Sequence, residues 1–223
     1  EKGRRLSGGN LRSRQLDLTK YDTDKIPNGY LHVYDTFFAP YVDRKIVLLE
    51  LGVAKGGSLL LWRDYFPAGT IVGIDWKVSR AEFTGGERIH LFEGSQADPQ
   101  FLSDVAHKVA PEGFDIIIDD ASHIGELTRI SFWHLFTHHL KPGGLYSIED
   151  WGTGYWSYWP DGKLPCLESF SPEQLKARRD RLFSKVIRKF MPHLYWKRRW
   201  RTHTYGMVGL IKQLVDEQGA FHA

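Results

Sequence analysis

Apolar residues along this chain come largely in short runs, and the runs end on glycine or on a carboxylate. Ile46-Val47-Leu48-Leu49-Glu50-Leu51 enters a glycine-rich turn, Thr70-Ile71-Val72-Gly73-Ile74 stops at Asp75, and Arg88 to Glu93 alternates apolar with polar positions. Phe114-Asp115-Ile116-Ile117-Ile118 stops at Asp119, and Leu145-Tyr146-Ser147-Ile148 runs into Glu149-Asp150. Runs of this length bounded by Gly, Pro and Asp read as strands, the β-branched ones as fully buried strands. Between them the pattern turns helical. Leu59-Leu60-Leu61-Trp62 follows the first turn, and Asp98 as N-cap with Pro99 at the first helical position opens a helix to about Val109. Ile130 to Leu140 reads as a buried helix closed by Lys141-Pro142-Gly143-Gly144, Tyr30 to Phe38 as a helix, and Met207 to Ile211 as a final strand.

Strands alternating with helices of this length predict an α/β chain. Parallel neighbours need a crossover connection, and right-handed helices supply it. The expected fold is a Rossmann-like, doubly wound, mostly parallel sheet in a single domain over 44–223. Residues 1–43 form an N-terminal arm and helical cap over the ligand edge of the sheet. An insertion at 152–200, holding one helix near 172–190, follows the fifth strand.

Composition narrows the class without naming it. A hydrophobic share of 42% and a charged share of 26% over 223 residues suit a soluble globular chain with a substantial core. Cys166 is the only cysteine, so an intrachain disulfide is excluded and a reducing, cytoplasmic setting is expected. No apolar run reaches the roughly 18–20 residues of a membrane helix. Glu1 to Gly9 is basic without an apolar core and reads as an arm, not a secretion signal. The net charge of +3 is unevenly spread, with eleven Lys or Arg from Lys176 to Arg201 opposed there only by Asp180. Such a face suits either solvent or an anionic partner.

The candidate chemistry sits where the strands end. In open α/β sheets ligands bind at the carboxyl ends of the strands. Gly52, Gly56, Gly57 and Ser58 after the first strand allow a ligand to approach backbone N–H groups at a helix N-terminus. The spacing is not that of a dinucleotide pyrophosphate site. Glu50 beside the first glycine would repel a pyrophosphate and favour a cationic, amine-bearing sulfonium such as S-adenosylmethionine. Asp75 is placed to accept hydrogen bonds from a ribose diol, Ser95 and Gln96 to meet an adenine edge, and Asp119 joins them at the end of the fourth strand.

Asp120, Glu149 and Asp150 offer hard oxygens from adjacent strand ends with a single nearby histidine. That donor set favours Mg²⁺, or Mn²⁺ or Ca²⁺, over zinc. His123 is three residues past Asp120, and histidine is the side-chain type whose unperturbed pKa lies near neutrality, so it can take the proton of a hydroxyl that a metal makes more acidic. Trp151-Gly152-Thr153-Gly154-Tyr155-Trp156 follows directly, and Tyr155 and Trp156 offer faces for a sugar or a phenol.

Taken together, Tyr21-Asp22-Thr23-Asp24-Lys25 with Gly29-Tyr30, Glu50-Leu51-Gly52-Val53 with Gly56-Gly57-Ser58-Leu59, Gly73-Ile74-Asp75, Gly94-Ser95-Gln96-Ala97-Asp98, Asp119-Asp120-Ala121-Ser122-His123 and Gly143 to Asp150 resemble the class I adenosylmethionine-dependent sugar O-methyltransferases. The macrocin and mycinamicin enzymes are the nearest in pattern. The resemblance runs from about residue 20 to 160. It implies the class I methyltransferase fold, Mg²⁺ held by Asp120, Glu149 and Asp150, His123 as general base, and a hydroxyl of a saccharide-bearing substrate as acceptor. A homo-oligomer, most simply a dimer, is expected. A Mg²⁺-dependent phenol or catechol O-methyltransferase shares the strand-end carboxylates and is the alternative enzyme. A nucleic-acid-binding protein using 176–201 is the alternative of another class, and its binding would be steeply salt-dependent.

Overall fold

The computed structural model describes residues 11–81, 86–156, 158–163 and 205–220. Five strands, β1 (Val47–Leu51), β2 (Thr70–Asp75), β3 (Ile89–Glu93), β4 (Phe114–Asp119) and β5 (Leu140–Ile148), form one sheet in the order β3-β2-β1-β4-β5. Every pairing is parallel. The chain order reverses between β1 and β4, which is the switch point where such sheets open a crevice. Leu51 pairs with both Ile74 and Asp119, and Asp119 with Ile148. The carboxyl ends of four strands are therefore level, and the residues just after them share one rim.

Period-2 alternation sends successive side chains to opposite faces of the sheet. Leu48, Ile71, Ile116 and Ile118 pack on one face with α1 (Tyr30–Phe38) and α2 (Gly57–Tyr65), through Phe38, Leu59, Trp62 and Tyr65. Leu49, Leu51, Val72, Ile74 and Ile117 pack on the other with α3 (Pro99–Val109) and α4 (Gly125–His138), through Leu102, Val105 and Leu135. Both faces are covered, which is why β1 and β4 read as nearly continuous apolar runs. Each such aliphatic side chain contributes about 1.5–3 kcal/mol by leaving water. Asp98 caps α3 as its sequence predicts, accepting from Phe101 N at 3.1 Å.

Two expectations fail. Met207 to Ile211 is not a strand but the start of a helix, α6 (Gly206–Ala220), preceded by the short α5 (Pro160–Lys163). A five-residue apolar run cannot separate strand from helix by period, and Leu214, seven positions after Met207, continues the helical stripe. Lys141-Pro142-Gly143-Gly144 does not close a helix that runs to Leu140. The helix α4 ends at His138, and those four residues lie inside β5, where the pairing with β4 shifts register between Phe114 and Ile116. The Pro-Gly-Gly cluster marks a bulge, with Gly143 at φ 77°.

The chain divides into two compact units. The first comprises residues 1–123 and 127–150, the sheet with its flanking helices; the second gathers 124–126 with everything from Trp151 onward. In the second, the buried carboxylate of Asp161 accepts from Gly125 N at 2.8 Å and Met207 N at 2.7 Å, serving the first turns of α4 and α6 together. The basic segment 176–201 and the helix expected near 172–190 lie outside the described residues.

Candidate active site

The turn after β1 brings main chain against main chain. Gly52 adopts φ 94°, donates its N–H to Ile74 O at 2.8 Å, and would carry a Cβ only 2.1 Å from the carbonyl oxygen of Asp120. At Gly57 a Cβ would meet Asp22 O at 1.9 Å. Glycine is required at both because the neighbours are backbone and cannot give way. Around these contacts lies a cavity of about 530 Å³, lined among others by Gly52, Gly56, Ser58, Asp75, Ser95, Gln96 and His123, with Asp22 to Asp24 of the N-terminal segment.

Asp75 ends β2 on the cavity wall. Its Oδ2 accepts from Val53 N at 2.8 Å and Ala54 N at 3.1 Å, and its Oδ1 from Lys77 N at 2.9 Å. Each carboxylate oxygen has about two acceptor directions, so capacity remains for a ligand diol. Trp76 follows it, 68% exposed and lining the same cavity. Gln96 turns both ends of its amide to protein, donating to Asp119 Oδ1 at 3.3 Å and accepting from Ser122 N at 3.0 Å. It braces the loop carrying His123, with its side chain committed to the protein.

Asp119 and Glu50 do not line the cavity; they lie beneath it. Asp119 accepts from Ser131 Oγ at 2.7 Å and Tyr146 OH at 3.3 Å, and burial pushes its carboxyl up to about 6. Glu50 is fully buried, accepts from Trp62 Nε1 at 3.1 Å, and has Oε1 3.2 Å from Lys25 Nζ. Burial raises its carboxyl and the ammonium of Lys25 opposes that rise.

Beyond β4 and β5, one ligand atom from each of Asp120, His123 and Asp150 falls within 4.8 Å of the others, the one such group among the described residues. His123 Nε2 stands 3.7 Å from Asp120 Oδ1. Tyr30 donates its phenol proton to Asp150 Oδ1. Glu149 is not in this group; its Oε1 accepts from Tyr34 OH and its Oε2 from Lys25 Nζ at 2.8 Å. Burial pushes the Glu149 carboxyl up to about 8, with Lys25 pulling it down and Asp120 pushing it further up. Ala54, His123 and Asp150 are the three non-glycine residues with positive φ among those described. All three belong to the rim of this one site, and left-handed backbone at non-glycine positions gathers where function holds it.

The chain is similar to curated proteins and to a solved structure. Mycinamicin VI 2''-O-methyltransferase of Micromonospora griseorubida is 40% identical over 159 residues, covering 65% of this chain and 38% of that protein. Demethylmacrocin O-methyltransferase of Streptomyces fradiae is 41% identical over 130 residues, 55% of this chain and 32% of that one. A crystal structure of the MycE methyltransferase from the mycinamycin biosynthetic pathway, in complex with Mg and SAH, superposes with a TM-score of 0.59 at 35% identity, over 76% of this chain and 44% of its own. This chain resembles the sugar O-methyltransferases. No family model matches it. The sheet has the class I methyltransferase fold, and the chain spans about two fifths or less of the length of the curated relatives it matches.

In this methyltransferase fold the sequence pattern missed two residues. Trp76 follows a strand-end carboxylate and could have been singled out as an aromatic at a ligand edge. Lys25 enters the sequence reading only within the Tyr21 to Lys25 segment of the resemblance and with no role, because a lysine in a polar segment reads as a surface residue, yet it is fully buried. Tyr155 and Trp156 belong to the second unit and are both largely exposed.

Proposed function

We propose that this chain is the methyl-transferring domain of a metal-dependent O-methyltransferase that uses S-adenosylmethionine to modify a hydroxyl of a sugar on a glycosylated compound. The observation that carries the reading is the meeting, on one sheet edge, of a glycine-walled cavity and the Asp120, His123 and Asp150 group. The cavity falls in the roughly 300–1,000 Å³ range of small-molecule sites. Two glycines with no room for a Cβ let the main chain at Asp22 and at Asp120 close against the turn that forms its wall. The donors offered are carboxylate oxygens without sulfur, with one imidazole beside them as base, which fits a hard divalent ion such as Mg²⁺.

When bound, S-adenosylmethionine supplies an electrophilic methyl on a sulfonium and Mg²⁺ supplies positive charge to an oxygen losing its proton. The rest falls to the chain. Asp75 holds the turn at Val53 and Ala54 and keeps acceptor capacity for a diol. Gly52 and Gly56 let the ligand lie on the main chain. Asp120 and Asp150 hold the ion, and Glu149 supports Asp120 from behind through the Lys25 ammonium that both accept from. His123 takes the acceptor's proton, a role for which a neutral imidazole at the cavity wall is suited. Holding acceptor and methyl in line supplies much of the rate. Tyr155 and Trp156 are proposed to meet the sugar face, in a homo-oligomeric, cytoplasmic enzyme.

Incubation of the protein with S-adenosylmethionine, Mg²⁺ and a panel of glycosides and catechols tests the reading. Methylation of glycosides abolished by EDTA supports it. Methylation confined to catechols redirects it to phenolic acceptors, and a protein that binds neither cofactor nor metal contradicts it. Among the described residues no helix is long and apolar enough to cross a membrane.

A further inference from the structure

Lys25 lies at the centre of the strand-end carboxylates without having a place in the chemistry described above. It is fully buried, and its Nζ is 2.6 Å from Asp120 Oδ2, 2.8 Å from Glu149 Oε2 and 3.2 Å from Glu50 Oε1. One ammonium therefore touches three carboxylates delivered by β1, β4 and β5, two of them 95 and 124 residues away along the chain. Two of its protons go to Asp120 Oδ2 and Glu149 Oε2, its charge faces Glu50 Oε1, and three carboxylates so close would otherwise repel one another.

The geometry also divides the carboxylates. Asp120 gives Oδ2 to Lys25 and turns Oδ1 toward His123. Glu149 gives one oxygen to Lys25 and the other to Tyr34, and Asp150, outside ion-pair distance of Lys25, gives one oxygen to Tyr30. Two hard oxygens beside His123 remain to face a ligand, enough for one ion. The three oxygens around Nζ surround it as a metal ion's ligands would, at hydrogen-bond distance.

The geometry points to Lys25 as a positioning residue that acts as the resident second cation of the site. Its ammonium holds Glu50, Asp120 and Glu149 in a fixed arrangement and occupies the place where a second divalent ion would go, so the site takes one metal ion and not two. The inference rests on the metal-dependent reading above, and it adds the stoichiometry of the site and the residue that sets it. It also ties the glycine turn, through Glu50, to the metal group, through Asp120. The N-terminal segment thereby becomes part of the site's charge balance.

The test is a Mn²⁺ titration followed by electron paramagnetic resonance, with thermal unfolding in EDTA and in Mn²⁺, on the wild type, Lys25→Ala and Lys25→Arg. Mn²⁺ serves as the paramagnetic probe for Mg²⁺. The wild type is expected to bind one ion per chain. Lys25→Ala opens the space and removes the charge, so it is expected to bind two ions with a spin-coupled signal and to unfold in EDTA at a temperature that Mn²⁺ largely restores. Lys25→Arg keeps the charge and is expected to bind one. If Lys25→Ala binds one ion, or unfolds equally with and without Mn²⁺, the role of Lys25 is overturned while the metal reading stands. Failure of Lys25→Ala to fold even in Mn²⁺ also overturns it, because a divalent ion would then be unable to take the place of the ammonium. A wild type that binds no Mn²⁺ contradicts the metal reading itself, and this inference with it.

Discussion

Gly52 and Asp120 touch main chain to main chain: a Cβ on the glycine would lie 2.1 Å from the carbonyl oxygen of the aspartate. The glycine turn after β1 and the carboxylate loop after β4 are thereby fixed against each other at the switch point of the sheet. Gly52→Ala adds a clash that cannot relax to a backbone at φ 94°, where L side chains are strained by about 1–3 kcal/mol. It is expected to lower stability by more than that strain, read by urea unfolding, and to abolish ligand binding at the turn. Gly143→Ala is the control. Gly143 has φ 77° but nothing within 4 Å of its Cβ direction, so only the handedness cost of about 1–2 kcal/mol should appear.

His123→Asn separates base from ligand. His123 sits at φ 51°, a conformation asparagine tolerates better than alanine, so backbone strain is kept out of the comparison. If the imidazole is the general base, turnover falls by about 10²-fold or more while Mn²⁺ affinity stays within about threefold. A drop in Mn²⁺ affinity of tenfold or more assigns His123 to the metal instead.

These residues also show how far the sequence could be read. The five strands, the capped helix at Pro99–Val109 and the strand-end positions of Asp75, Asp120 and Asp150 follow from apolar period and from what interrupts it. Such signals are local, and the sheet has both faces covered. Lys25 is different, because its burial depends on three carboxylates that only the finished sheet brings to it. Gln96 was legible as a polar residue at a strand end. Its bond to Ser122 N was not, since that requires knowing that the loops after β3 and β4 lie side by side. Met207 to Ile211 misled because a short apolar run carries no helical period of its own.

A histidine cluster that neither lines the cavity nor joins the Asp120, His123 and Asp150 group gives the protein an acid-sensitive patch. Ser103 Oγ lies 2.8 Å from His134 Nε2 and 3.0 Å from His139 Nε2, and the His107 and His138 rings flank them. Burial, with the neighbouring His134, His107 and His138, lowers His139 from 6.5 to about 4. A depressed pKa means the folded protein binds the proton less readily than the unfolded chain. The contribution is complete above pH 6.5 and is lost as pH falls from there toward 4. His139→Gln should flatten the pH dependence of unfolding free energy in that window and leave it unchanged above pH 7. An unaltered slope between pH 4 and 6.5 would contradict the assignment.

The claim on which the rest depends is that the glycine-walled cavity takes an adenosyl ligand held by Asp75. The direct measurement is calorimetric titration of S-adenosylhomocysteine into the wild type and into Asp75→Asn, with Mg²⁺ present. The amide keeps an oxygen for Val53 N and Ala54 N, and removes the charge and, with Oδ1 replaced by nitrogen, the acceptor direction left for a diol. Saturable one-to-one binding to the wild type, weakened at least about tenfold, or about 1.4 kcal/mol, in the variant, is the predicted result. Absence of binding to the wild type, or equal binding to both proteins, would contradict the account.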